Sequence, residues 1–404
     1  MGFQCNEGKP ICHNCERHQL PCVYDRDGLQ KKRPTSSKPS NKSPPTSSPG
    51  TRERSESREG STGQEYFGTG AENDGSDEED PPESRARRML EVKLMHQYVT
   101  ETGSSIAIDD VSRNALCRMV PELACQSDAL LYSMYTIAAL HLVKLGKDAG
   151  LSLEGVADKY FSMAIREHKK ELAQISRETV DVVCLTSCLI RTYASIQLQD
   201  RPRHYRQYTP PWEWLVVTKS STTIFEEAWR LVGIEPQSVA FQLIKNSRHI
   251  HSKERQPGQS SSSNSGSSGS SGRRRLSHLM DRSLSESDGA PDEPWDADTQ
   301  AVYEKTLDSI GDVLDAIERD GPSGNVCRML IMFPMLAEKK YIDLVRIGSP
   351  RALVILAHYF ALLAEYHQFW WIGQSGVKEV RSIADELTGK WHELMEWPLR
   401  MIDT

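Results

Sequence analysis

No stretch of this chain stays apolar over the roughly 18–20 residues that cross a bilayer, so a helical membrane span is not expected. No charged-then-apolar leader opens it, so a secretory signal is not expected either. Met1-Gly2 begins like a myristoylation start, but Asn6 stands where Ser or Thr is needed. Sustained apolar–polar alternation is missing, and so is an Asn-Gly hairpin turn, which argues against a sheet. A Gly-rich phosphate loop, a Gly-x-Ser-x-Gly elbow and a His-Glu-x-x-His pair are all absent. Asp109-Asp110 and Glu226-Glu227 are adjacent pairs expected on the surface, and neighbours in sequence do not face each other on a helix. An enzyme is therefore not expected. A disulfide framework is not expected either: Cys117, Cys125, Cys184, Cys188 and Cys327 are scattered in apolar helical contexts, as buried free thiols are. Cys184 and Cys188 stand four apart, but no His or carboxylate cluster accompanies them, so core packing is the expectation. Apolar content is low as well. A mean hydropathy of -0.54 over 404 residues implies that part of the chain does not pack.

What is present begins with four thiols. Cys5, Cys12, Cys15 and Cys22 follow a C-x6-C-x2-C-x6-C spacing, set among polar residues and turn formers. So short a polar stretch cannot form a hydrophobic core, whereas closely spaced thiolates suit Zn2+, which takes four soft ligands in a tetrahedron. His13 is expected to be an exposed loop residue.

The stretch resembles the second part of the fungal zinc binuclear cluster, the six-cysteine DNA-binding module. Cys5 matches the third cysteine, Pro10 the loop proline, and Cys12, Cys15 and Cys22 the last three, with Val23-Tyr24 trailing. The resemblance implies Zn2+ as cofactor and these four cysteines as ligands. It departs at the start, where Met1 to Gln4 stand in place of the end of the basic reading helix and the first two cysteines would lie upstream. Two readings stay open for this part: one zinc held by all four thiols, or an unfolded remnant of a chain whose true start was missed. Of the nearby basic residues, Lys9 and Arg17 are the candidates for DNA contact. Without the reading helix they reach phosphates only, so the polypeptide as written is expected to bind DNA weakly and without sequence choice. The full-length form is expected to read CGG-type sites, because Arg and Lys can donate to guanine O6 and N7.

Residues 25–83 read as a disordered linker dominated by Pro, Ser, Thr and Gly. Lys31, Lys32 and Arg33 form a basic patch that fits nuclear localisation, with a solvated basic linker as the bland alternative. No heptad pattern is readable between Cys22 and Ser84. Helical spacing then runs through residues 84–245. Ser84 is the expected first N-cap, Ser127 caps a long apolar helix and Gly146 closes it. His141 and His168 fall on or beside apolar faces and read as packed core residues. Residues 246–294 are expected to form a second disordered segment, with a Ser/Gly tract at 260–271. Behind that tract Arg273-Arg274-Arg275-Leu276-Ser277 makes a basophilic kinase pattern, with Ser277 the candidate phosphorylation site. Residues 295–404 return to helix. One segment is expected from Asn325 through Leu336 to Tyr341, and a second from Pro350, the most apolar of all, to Trp371. A third runs from Val377 through Trp391 to Trp397-Pro398.

The helical segments carry a second resemblance. Leu90 to Tyr98, Val120 to Ala124, Ile137 to Leu142, Pro210-Pro211 with Trp214-Leu215, Ser349 to Leu353 and Trp370-Trp371 look like the fungal-specific regulatory domain of zinc cluster factors. The subgroup nearest in pattern is similar to the sterol uptake control regulators. The expected fold is thus mainly α: a partial zinc–cysteine module at 1–24, disordered linkers, and an all-helical regulatory domain in two parts. The resemblance implies a nuclear transcription factor acting on RNA polymerase II genes, sterol or lipid genes among them. Its partners would be DNA, the transcription machinery and a sterol or other apolar ligand, with a homodimer as the form of self-association. One alternative is a shortened regulatory relative that works through protein partners without touching DNA; another is an unrelated helical enzyme or ligand carrier. The residues alone do not place the ligand pocket.

Overall fold

The computed structural model describes residues 84–147, 152–201, 208–233, 235, 237–243, 270–282 and 295–403. All of these belong to one compact unit within 62–404. Among the described residues every regular element is helical, as the missing strand alternation predicts.

The helices begin where short polar side chains meet orphan amides. Ser84 Oγ accepts from the Arg87 amide at 3.1 Å and opens α1, Arg85–Gln97. Ser127 Oγ accepts from the Leu130 amide at 3.1 Å and opens α2, Asp128–Lys144. Each such cap is worth about 1 kcal/mol. Beyond α2, Gly146 at φ +64° allows the Lys147 amide to reach back to the Leu142 carbonyl at 2.9 Å, a left-handed stop that a Cβ would strain. Three long helices follow: α3 (Leu153–Ala173), α4 (Val180–Asp200) and α5 (Trp212–Val232). Then come α6 (Ala297–Asp320), α7 (Gly324–Leu336), α8 (Lys339–Arg346), α9 (Pro350–Ala364) and α10 (Ser375–Glu386). The closest pairings are α2 with α3, α9 with α10, and α4 with α5.

At the centre lies α9. Pro350 occupies its first turn, where the missing N–H costs nothing. Every residue from Arg351 to Ala364 is buried. A helix apolar all round must be covered all round. One contiguous core joins α9 to residues as far apart as Leu90 and Met395. No single helix among the described residues is long and apolar enough to cross a membrane; α8 and α9 pass together by length and composition, but they meet at 106°.

Several expected boundaries shift. The segment from Asn325 to Tyr341 is two helices, broken after Leu336 where Ala337 turns to ψ 132°. Pro334, lacking an N–H, has already removed one rung just before that break. The helix from Pro350 stops at Ala364, and residues 365–374 continue as turns. The last segment is three helices, α10, Gly389–Glu393 and Glu396–Ile402, interrupted by extended Leu387 and by Gly389 at φ +56°. Pro121 sits in the first turn of Val120–Ala124, which follows directly on the π-helical Ala115–Met119.

The insert expected to be disordered over 246–294 contains an ordered piece. Ser271–Arg275 is a short helix and Ser277–Met280 a tight turn. Leu276 and Leu279 are buried, and the Gly272 amide donates to Asp315 Oδ1 on α6 at 2.6 Å. Fully buried Arg351 of α9 donates to the carbonyls of Leu279 and Asp281, the latter at 3.1 Å. Its guanidinium also lies 4.8 Å and 5.1 Å from the ring centres of Trp295 and Trp391. Composition marks this piece as loose because its ordering contacts come from α6 and α9, far away in sequence.

Candidate functional site

An apolar cavity opens between α4, α5, α7 and the end of α9, closed on one side by the turns around 106–116. It encloses about 140 Å³ and opens to solvent at its mouth. Each wall is one face of a helix. Leu185, Cys188, Thr192 and Ser195 recur at intervals of three and four along α4, as do Arg328, Ile331 and Met335 on α7; Trp214, Thr218 and Phe225 stand four and seven apart on α5. Tyr359 and Leu363 form the α9 wall, with Trp371 and Ile372 from the turns beyond it. Ile106 beyond the first π turn, Tyr98–Thr102, and Ala115 and Leu116 within the second, Ala115–Met119, reach the same space.

Two guanidinium groups stand in this wall, in different states. Arg328 is paired with Asp109. Asp109 also caps Asp110–Asn114, accepting from the Ser112 amide at 2.8 Å. Burial would push its carboxyl up, but the Ser112 amide and Arg328 outweigh burial and hold it below the usual carboxylate range. Asp109, expected on the surface, is therefore a half-buried structural acid. Arg191 has no carboxylate within ion-pair distance among the described residues. Its Nη1 meets Met335 Sδ, its Nη2 lies 3.6 Å from Cys188 Sγ, and its guanidinium sits 5.4 Å from the Phe225 ring centre. Its Nε is buried with no hydrogen-bond partner. Cys184 is buried and its thiol lies well above the ordinary range through burial, as an inert core thiol does.

The two histidines behave as core residues. Ser187 Oγ donates to the Val183 carbonyl at 2.9 Å, so His168 Nε2 must donate to Ser187 at 3.2 Å. Burial pulls the His168 ring down to about 4. His141 hydrogen-bonds Thr102 Oγ1 at 2.9 Å and stacks on Trp370 at 4.6 Å; burial lowers it as well.

The expected site residues Cys5, Cys12, Cys15, Cys22, Lys9, Arg17, Lys31, Lys32 and Arg33 lie outside the described residues. Among the described residues no cluster of three or more His, Cys, Asp or Glu is placed to hold a metal. Ser277 is exposed, and its Oγ donates to the Arg274 carbonyl at 2.8 Å. Arg273 of the same pattern pairs with Asp308 at 2.8 Å. The cavity residues were not singled out from sequence. One signal was there: Arg191 is the lone basic residue of α4.

Comparison with known proteins places these features. Residues 3–31 match the fungal Zn(2)-Cys(6) binuclear cluster domain, a zinc-binding module. Residues 93–208, which include Arg191 and the α4 wall, match the fungal specific transcription factor domain. The chain is 26% identical over 363 residues to the Zn(2)-C6 fungal-type transcription factor afumD of Aspergillus fumigatus, covering 88% of this chain and 81% of that one. It is 25% identical over 329 residues to a Zn(2)-C6 fungal-type transcription factor of Gibberella zeae, covering 78% of this chain and 62% of the relative. These domains and relatives are those of transcription factors, which are not enzymes. In both its cysteine module and its helical region the chain is similar to fungal zinc cluster transcription factors, and zinc is the cofactor that goes with that similarity.

Proposed function

We propose that the protein is a zinc cluster transcription regulator whose helical region answers to an apolar ligand. The observation that carries this reading is the pairing in one chain of a zinc cluster match with a transcription-factor-domain match that contributes walls to an apolar cavity. Cys5, Cys12, Cys15 and Cys22 would hold zinc, with Lys9 and Arg17 on the DNA backbone. Lys31, Lys32 and Arg33 would direct the protein to the nucleus, where it would act on RNA polymerase II genes, sterol or lipid genes among them. The DNA sites would be of the CGG type, and a homodimer would suit paired sites. Ser277, exposed between buried Leu276 and Leu279, is the proposed phosphoacceptor.

The test fuses the whole chain to a heterologous DNA-binding domain in a fungal host carrying the matching reporter. Reporter output should change on fusion and again when lipids are withdrawn. A Thr218→Trp variant, filling the cavity, should remove the second change alone. A reporter indifferent to the fusion would refute the regulatory reading. A reporter that responds to the fusion but never to lipid, in either variant, would refute the ligand response.

A further inference from the structure

The cavity wall carries a pattern of unpaired donors that an apolar ligand does not explain. Among the described residues, the buried guanidinium and indole N–H groups that lack a hydrogen-bond partner are Arg191 Nε, Trp214 Nε1 and Trp371 Nε1. All three side chains line this one cavity. The neighbouring Trp370 shows the contrast: its Nε1 donates to Ser105 Oγ at 2.9 Å. A buried donor without an acceptor is costly, more so on a charged group, and calls for an explanation. Arg191 adds a charge. Its polar neighbours are two sulfurs, which accept weakly, and Phe225, whose ring face offsets only part of a cation's desolvation. The wall thus presents three N–H donors with no hydrogen-bond partner, one of them on a guanidinium with no carboxylate beside it.

We propose that this cavity takes an amphipathic monocarboxylic acid, with its carboxylate on Arg191 and the orphaned indole N–H groups and its apolar body along α5, α7 and α9. The inference rests on the ligand-responsive reading above and names the class of ligand. A monoanion fits because Asp109 already neutralises Arg328, the other guanidinium in the wall. A dianion would bring one charge too many into a space lined mainly by Leu, Ile, Met and aromatic side chains. A neutral alcohol would satisfy a donor and leave the charge unmatched. Carboxylate oxygens accept from both edges of a guanidinium, the pairing for which Arg is best suited.

Fluorescence titration of the full purified chain tests this at pH 8, with cis-parinaric acid and its methyl ester as probes. The two share a polyene body and differ in charge. The acid should bind one to one and roughly tenfold or more tighter than the ester, as a desolvated charge-assisted pair allows. Arg191→Gln should bring the acid down to the affinity of the ester without moving the ester, and Arg191→Lys should retain most of the difference. Unchanged ester binding shows that Arg191→Gln is folded, and the acid-to-ester ratio of the unaltered chain tests the idea without any variant. Equal binding of acid and ester, insensitive to Arg191→Gln, would overturn the acid assignment and leave the apolar-ligand reading standing. Failure of both probes to bind would overturn both.

Discussion

At the scale of single residues, the core is unforgiving where it is driest. Leu356 has no exposed surface and lies at the middle of α9. Leu356→Ala should cost roughly 2–5 kcal/mol, since α9 is packed on every side and the hole cannot collapse. Chemical denaturation would measure it; an unchanged midpoint would mean the site is not buried. His168 and His358 make stability depend on pH. Burial pulls both down to about 4. His358 Nδ1–H donates to the Val354 carbonyl at 2.8 Å, which favours the charged ring, but complete burial outweighs that bond and keeps the ring neutral. Between the ordinary value near 6.5 and this lowered one, the unfolded chain binds a proton that the folded chain refuses. Their contribution is therefore complete above about pH 6.5 and is lost as pH falls toward 4. Each should forfeit about 2 kcal/mol between pH 7.5 and pH 5. Denaturation midpoints at the two pH values check this, and the double Gln variant should show a shallower slope.

At the scale of elements, the piece at 270–282 shows how distant contacts order a weak segment. Gly272 and Gly311 cross backbone to backbone: a Cβ on Gly311 would lie 2.7 Å from the Arg273 nitrogen, and one on Gly272 would lie 2.2 Å from the Gly311 carbonyl oxygen. Neither glycine is needed for its φ. Both are needed because nothing larger fits between the chains. Gly311→Val should push this short helix off α6, strip Arg351 of its carbonyl acceptors and cost about 1–3 kcal/mol, the usual range for overpacking. Hydrogen exchange should show it first, at the Gly272 amide that now donates to Asp315. If that amide stayed protected, the crossing would be looser than its geometry implies.

At the scale of the whole helical region, the described residues of 84–243 and 295–403 share one core. Trp214 of α5 lies 6.1 Å and 5.8 Å, centre to centre, from Tyr359 and Phe360 of α9. The end of α4 is tied down from the far side: Gln199 Nε2 donates to the Trp370 carbonyl at 2.8 Å, and Lys378 Nζ donates to the Gln199 carbonyl at 2.6 Å. A polypeptide ending at residue 245 would leave Leu185, Leu215 and the cavity face of α4 in water. It should be helical by circular dichroism yet lack a cooperative melt, as helices without their packing partner do. A sharp transition from that fragment would show that the first part holds a core of its own.

The sequence by itself determined the class of fold, the composition of the linkers, the four-thiol module and several helix starts, because these are local. An N-cap needs only Ser84 or Ser127 and the next turn, a zinc ligand set needs spacing, and an apolar run such as Leu353 to Ala364 declares its burial without naming its neighbours. Breaks after Leu336 and at Gly389 were less legible, since apolar spacing runs across them and only packing against other helices fixes where the chain turns. The cavity was not legible at all. Cys188, Arg191, Trp214, Arg328 and Trp371 come from four stretches of chain, and each alone has an ordinary reading in a helix or a turn. Only the tertiary structure shows that Asp109 neutralises one guanidinium and leaves the other facing an apolar space, because electrostatic pairing depends on distance through space and not along the chain.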